Sequence, residues 1–530
     1  MNGQLTGTGA LLRHALRLDR WKLLPWLLII GIFPMASFAA YPSVFPTQRE
    51  AVVLQLSLGT NPAFSLLFGP ATNLTTAIGF VTWRVQMFGM FFAALMAVFA
   101  VTRHTRTAED SGQAELLDSG VVGRHARLAS AVVLAWLASA AVGLVVGGSL
   151  TLAGAPAASA FALGSVMGGL GFAFAGVSAV TAQLGSVGRT ANTLAAVVLG
   201  LCYLFRGLGD TLKDGEWLLW TSPMGWAEQI RPSSHNDYWP LALLLGFGLV
   251  TAAIGGWLST RRDFGLGIIP GRAGPAHSRL GIWGLTARLN RGPFWTWGIT
   301  FAFLGSIYGL VTTTMSSVFA DNPFVKQMLA FRITSEEQLV LAFVQVLLLV
   351  LAFVGGVCGI QLALRFYAEE DERRSEWVLS GALSRLDHIA PTVFLALTVP
   401  GIGMALGSVA LAATSTATGS AAKPIDVILQ GLAEIPSLWL AAAVAIAAVG
   451  IAPHLRAIAW LVLVYWLLMT LFGPILKAPD WMLNTSPFHA VPQVTAPNPD
   501  FAPLWITAAI AVALVAAGLV GYRRRDLVCT

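Results

Sequence analysis

Twelve stretches of about 20 residues, each nearly free of charge, recur along the chain between shorter polar segments. They lie at about 22–41, 80–101, 127–153, 157–182, 190–209 and 240–259, then at about 293–315, 338–363, 388–414, 433–452, 455–473 and 502–521. Each is long enough, as a helix, to cross a hydrocarbon core of about 30 Å. The chain has 530 residues, 56% of them hydrophobic and 11% charged, which is more apolar surface than a water-soluble fold can hide. The pattern therefore predicts an all-α polytopic membrane protein with about 12 transmembrane helices.

The polar segments repeat as well. AEDSGQAELLDSGVVGR, Ala108 to Arg124, returns as EEDERRSEWVLSGALSR, Glu369 to Arg385. At an offset of 261, seven of the 22 positions from 109 to 130 are identical, against about one or two expected by chance. LKDGEWLLWTSP from Leu212 likewise returns as LKAPDWMLNTSP from Leu476, and RLDRW at Arg17 and STRRD at Ser259 have fainter echoes in RLNRG at Arg288 and YRRRD at Tyr522. Six spans per half return the chain to its starting side, so the halves form two parallel six-helix repeats. The expected organisation is a first half over 1–264, a Gly-, Pro- and Arg-rich linker over 265–284 and a second half over 285–530.

Charge sets the orientation. With the N-terminus in the cytoplasm, 23 of the 32 Lys and Arg fall on the cytoplasmic side, and both termini are cytoplasmic. The net charge of +6 is then a topology signal, and no nucleic-acid-binding motif accompanies it. The three cysteines have no metal-like spacing, the eight histidines form no metal-binding motif, and no nucleophile motif stands beside a base, so neither a catalytic residue nor a metal site is expected. Nothing matches G-x-x-x-x-G-K-[ST], and no cytoplasmic loop is long enough for a nucleotide-binding domain.

Both acidic segments fall in the cytoplasmic loop between the second and third spans of their half. Thr107 and Asp110 have capping-box spacing and Ser119-Gly120 supplies a helix stop, which predicts a short amphipathic helix. In the second copy Glu369 with Arg373 and Glu370 with Arg374 have i to i+4 spacing. A solvated charged face explains one such helix; two, one per half, favour docking surfaces for a pair of partner domains.

On these residues the chain is similar to the membrane subunits of ABC-type exporters of the ABC-2 class, in particular the actinobacterial exporters of polyketide antibiotics such as tetronasin. The resemblance covers the whole chain: a basic amphipathic N-terminal helix at about 4–20, six spans, the acidic loop helix and a Trp-bearing TSP hairpin. It implies an ABC-2, type V exporter-like architecture in a bacterial plasma membrane. It also implies a pair of coupling helices seated on two copies of a separate ATPase, which would hold the ATP and Mg²⁺; this chain would bind no cofactor itself. The coupling role falls on Glu109, Asp110 and Glu115, and on Glu370, Asp371 and Glu376, with the two sites made unequal by Ser111-Gly112-Gln113 against Glu372-Arg373-Arg374. Implied substrates are small hydrophobic drugs or polyketide antibiotics.

Other positions have more than one reading. Arg84 and its offset partner Gln345 serve either lipid headgroups and helix packing or a substrate path between the halves, and Arg206 shares that ambiguity. Met87 and Phe91, within VQMFGMFFAALM, fit core packing, lipid contact or a greasy substrate surface. Trp217 and Trp481 fit interfacial anchors or an exit gate in external hairpins, where Pro223 and Pro487 after Ser suit helix starts. An ion-coupled secondary transporter and a lipid-modifying membrane enzyme remain as alternatives; the first lacks mid-membrane carboxylates, and the second would need the acidic residues to converge on one substrate.

Overall fold

A computed structural model describes residues 3–59, 65–66, 68–118, 120–212, 214–269, 281–320, 336–371, 373–420, 422–472, 479–496 and 498–526. Among these the regular structure is entirely helical, the solution open to a chain whose backbone must satisfy its own hydrogen bonds in lipid. Eleven helices among the described residues are long and apolar enough to span a membrane. The remaining expected span, 293–315, lies within a 30-residue helix, Arg291–Ala320, whose side chains beyond 310 are largely outside the described set.

The chain divides into two compact units, Met1–Gly274 and Pro275–Thr530. In unit 1 the helices are α1 (Thr8–Val44), α2 (Gln48–Gly59), α3 (Ala77–Thr102), α4 (Gln113–Asp118), α5 (Ala126–Leu152), α6 (Ala157–Leu184), α7 (Gly188–Thr211), α8 (Glu216–Leu219), α9 (Pro223–Glu228) and α10 (Trp239–Leu258). In unit 2 they are α11 (Gly281–Leu289), α12 (Arg291–Ala320), α13 (Glu336–Asp371), α14 (Arg374–Leu379), α15 (Arg385–Ala417), α16 (Pro424–Ala433), α17 (Ile435–Ile451), α18 (Ile458–Phe472), α19 (Asp480–Leu483) and α20 (Ala502–Arg524).

Several boundaries differ from those the sequence predicts. The N-terminal amphipathic helix and the first span are one helix, α1, which runs through Pro25, Pro34 and Pro42. The fourth span of the second half is longer than 433–452: it is preceded by α16, and Glu434 and Pro436 mark the junction with α17. Pro223 does start a helix, α9, with Ser222 Oγ accepting from the Gly225 amide at 3.2 Å. Pro487 does not: the Ser486 hydroxyl lies 2.7 Å from Thr470 Oγ1 and the chain continues in turns.

The core of each unit is built by close helix packing around its fourth span. In unit 1 a Cβ on Gly255 of α10 would stand 2.8 Å from the Ala179 carbonyl of α6. In unit 2, 263 residues later, a Cβ on Gly518 of α20 would stand 2.8 Å from the Ile446 carbonyl of α17. These are the small-residue contacts by which helices associate in lipid, where no hydrophobic drive separates protein from solvent. Both glycines lie seven residues before an arginine, Arg262 and Arg525, and so fix where each guanidinium arrives.

Candidate functional site: the paired acidic elbows

The acidic segment of unit 1 is not an independently capped helix. The second span continues through a π-helical stretch, Arg103–Thr107, into Ala108–Asp110, and Thr107 makes no side-chain cap. In unit 2, α13 runs unbroken to Asp371. The chain then reverses at a left-handed residue, Gly112 with φ 73° or Arg373 with φ 57°, and enters the six-residue helix α4 or α14. The turn and both helix ends keep the offset of 261. Glycine adopts this conformation freely and arginine only at a steric cost, so the elbow geometry is imposed by its surroundings in unit 2. It also ends the helical run that the i to i+4 spacing of Glu369–Arg373 assumed. The expected stop at Ser119 and the extra charge at Glu372 lie outside the described residues.

What imposes the geometry is a set of buried carboxylate clamps. Glu109 is buried and receives three guanidinium groups: Arg106 Nη1 at 2.6 Å, Arg127 Nη2 of α5 at 2.7 Å, and Arg262, beyond the end of α10, through Nη2 at 2.7 Å and Nη1 at 3.0 Å. Glu370 is buried at the matching position and receives Arg525 in the same two-pronged manner, with Nη1 at 2.7 Å from Oε1. A planar guanidinium fixes both distance and orientation in such a pair. Asp110 Oδ2 accepts from the Gly188 amide at 2.6 Å and so places a negative charge at the N-terminus of α7. Asp371 accepts from the Tyr367 hydroxyl at 3.4 Å.

A second clamp ties α1 in unit 1, and the junction between α11 and α12 in unit 2, to the same elbow. Asp19 of α1 is fully buried and accepts from Arg103 at 2.6 Å, with His104 Nε2 at 2.9 Å. Its counterpart in RLNR, Asn290, accepts from Arg365 Nη1 at 3.0 Å through Oδ1. The elbow of unit 1 is thereby joined to α1, α5, α7 and α10, and that of unit 2 to α20 and the segment before α12. The sequence reading passed over Asp19, Asn290, Arg262 and Arg525, although the RLDR/RLNR and RRD echoes carried the signal.

The outward surface of each elbow is a different pair of residues. Glu115 and Leu116 are exposed, Leu116 at 78%; Glu376 and Trp377 occupy the same register, Trp377 at 85%. An acidic group beside an exposed apolar one therefore stands at the tip of both elbows, while Glu109 and Glu370 hold the tips in place from inside.

The remaining candidate residues are dispersed. Arg84 is exposed, with its guanidinium carbon 5.7 Å from the Phe80 ring centroid and 6.0 Å from that of Phe33. Gln345 is half-buried and donates to the Val491 carbonyl at 3.4 Å. Met87 is buried in the core of unit 1 with half-buried Phe91 packed against it, whereas Phe88 and Phe92 turn outward into an apolar groove beside α1. Trp217 and Trp481 are exposed at the tips of their hairpins, 65% and 72%. Arg206 is fully buried at the hairpin end of α7.

Two span-rich helical units, each with a clamped elbow, make this a polytopic α-helical membrane protein. The chain belongs to the family described as multidrug efflux system permease Rv1217c, C-terminal domain, whose model matches residues 10–258 and 281–523. It is also similar to the multidrug efflux system permease protein Rv1217c of Mycobacterium tuberculosis (strain ATCC 25618 / H37Rv), with 33% identity over 534 residues covering 99% of this chain and 96% of that protein.

Proposed function

We propose that this permease is the transmembrane subunit of an ATP-driven exporter, and that its two elbows are the seats of two copies of a separate ABC ATPase. The observation that carries the reading is the exposed Glu115-Leu116 and Glu376-Trp377 pair, repeated in register on elbows clamped to the spans. An exposed acidic and apolar tip offers charge complementarity for registration and an apolar anchor for affinity. The buried carboxylates beneath make the elbow a lever: displacement of the tip moves Arg262 and α10 in one unit, and Arg525 and α20 in the other. Nucleotide-driven closure of the ATPases would bias the spans between two arrangements through this lever.

In this reading the elbows and both termini face the cytoplasm of a bacterium, the Trp217 and Trp481 hairpins face outward, and ATP and Mg²⁺ reside on the partner. Hydrophobic drugs, polyketide antibiotics among them, are the proposed cargo; the mycobacterial relative is named for multidrug efflux. The test is extrusion of a fluorescent hydrophobic drug from vesicles bearing the chain with its ATPase. Extrusion is expected to need hydrolysable ATP and to survive collapse of the proton and sodium gradients by ionophores. Gradient-driven extrusion by the chain alone would replace this reading with the secondary transporter.

A further inference from the structure

At the hairpin end of unit 1, away from the elbow, lies a cavity of about 630 Å³. Its wall carries three carboxylates, Asp210, Glu216 and Glu228, and three aromatic rings, Phe68, Trp83 and Trp220. Behind the wall, fully buried Arg206 donates through Nη2 to the Leu66 carbonyl at 2.6 Å, and through Nη1 to the Ser65 carbonyl at 3.3 Å and to Asp210 Oδ2 at 3.1 Å. Its Nε stands 3.8 Å from Glu228 Oε2, and neither of those buried atoms has a hydrogen-bond partner. Two carboxyl groups thus face one guanidinium that is already shared with two carbonyls. Arg231 also lines the cavity, so the three wall carboxylates meet two guanidinium groups, and one negative charge is in excess unless a proton or another cation joins them.

The surroundings are arranged to keep that excess. Gly69 has φ 88°, and a Cβ there would stand 2.6 Å from Glu228 Oε1, so only glycine leaves room for the carboxyl. The other titratable groups nearby are Glu216 from α8, Arg231 and His235 after α9, and Tyr203, whose ring lies 5.0 Å from the Arg206 guanidinium carbon. Burial first, and then the Asp210 carboxylate, push the Glu228 carboxyl well above the usual carboxylate range, against the pull of Arg206 and Arg231.

We propose that this cavity binds an amphiphilic organic cation, with its charge seated against Asp210 and Glu228 and its apolar body against Phe68, Trp83 and Trp220. Size and lining decide between ligand classes. A drug-sized molecule needs about 300–1,000 Å³, whereas a bare ion needs little more than the ~30 Å³ of a water. Aromatic faces add cation–π attraction for an organic cation. The site belongs to the first half alone, since at the hairpin offset of 264 the positions of Arg206, Asp210 and Glu228 are Thr470, Pro474 and Pro492. The efflux reading supplies the reason such a cation would arrive, while the binding itself is a property of the chain without any ATPase.

The test is equilibrium dialysis of tetraphenylphosphonium against the full chain in lipid nanodiscs from pH 6 to 9, with tetraphenylborate as a probe of the same shape and opposite charge. Because the cation displaces a proton from the raised Glu228 carboxyl, its affinity is expected to rise with pH across this range. Glu228→Gln is expected to weaken binding at pH 8 by about tenfold and to flatten the profile. Tetraphenylborate should not compete. A pH-independent wild-type affinity, unchanged binding by Glu228→Gln, or competition by tetraphenylborate would each overturn the proposal. Should Glu228→Gln fail to fold, the wild-type profile and the borate competition decide it alone. A negative result here leaves the ATPase reading standing, and loss of ATPase association leaves this one standing.

Discussion

Replacing Arg525 with alanine is expected to destabilise the chain by about 3–5 kcal/mol, because it leaves the Glu370 carboxylate buried and unpaired. The corresponding change at Arg262 should cost less, since Glu109 keeps Arg106 and Arg127. Removing both partners in unit 2, Glu370→Met with Arg525→Met, should recover most of the loss, because an apolar pair carries no desolvation penalty. Thermal midpoints of the detergent-solubilised wild type, the two single alanine variants and the double variant measure these terms. An Arg525→Ala midpoint equal to that of the wild type would mean that the clamp does not hold the elbow. A double variant that is stable yet fails to transport would separate the lever's mechanical role from its contribution to the fold.

The tips should respond in the opposite way. Glu115→Lys together with Glu376→Lys alters two exposed side chains, so stability should change by only about ±0.5 kcal/mol at each. At a docking interface the same reversals set like charges together, at a cost of several kcal/mol, enough to abolish ATPase association at ordinary expression levels. The two single variants should differ, because exposed Arg373 and Arg374 stand before α14 and at its start, whereas the matching positions before α4 and at its start are Gly112 and Gln113. Co-purification of the ATPase with each variant, alongside the thermal midpoint of each chain, separates docking from folding. Wild-type association in the double reversal would assign the tips to solvent.

The repeat made the elbows legible from sequence, because an offset of 261 preserved Glu109/Glu370 and Glu115/Glu376 together with the turn between them. Their division of labour was not legible. Spacing alone places Glu109, Asp110 and Glu115 on one acidic segment, and only the fold buries the first against Arg262, 153 residues away, while leaving the third in the open. The capping box failed for a similar reason: Thr107 lies inside a helix continued from α3, so no free helix start exists for it to cap. At the hairpins the identical TSP triplets predicted identical helix starts. One copy lacks the helix, and there Thr470, at the position of Arg206, pairs with Ser486. Both serine hydroxyls still point back to the fifth span, at the Cys202 and Trp466 carbonyls 264 residues apart, so the repeat survives where the local structure diverges. Arg206, Asp210 and Glu228 looked unrelated in sequence because their meeting depends on α9 folding back beside α7.

The docking claim is tested most directly by a photo-crosslinking amino acid placed at Leu116 and, separately, at Trp377, in cells expressing the chain with its ATPase. Both positions are predicted to give an adduct of the chain with the ATPase subunit, with a control at Trp217 on the opposite hairpin giving none. Adducts confined to lipid at both tips, in cells where the complex is assembled and active, would contradict the account.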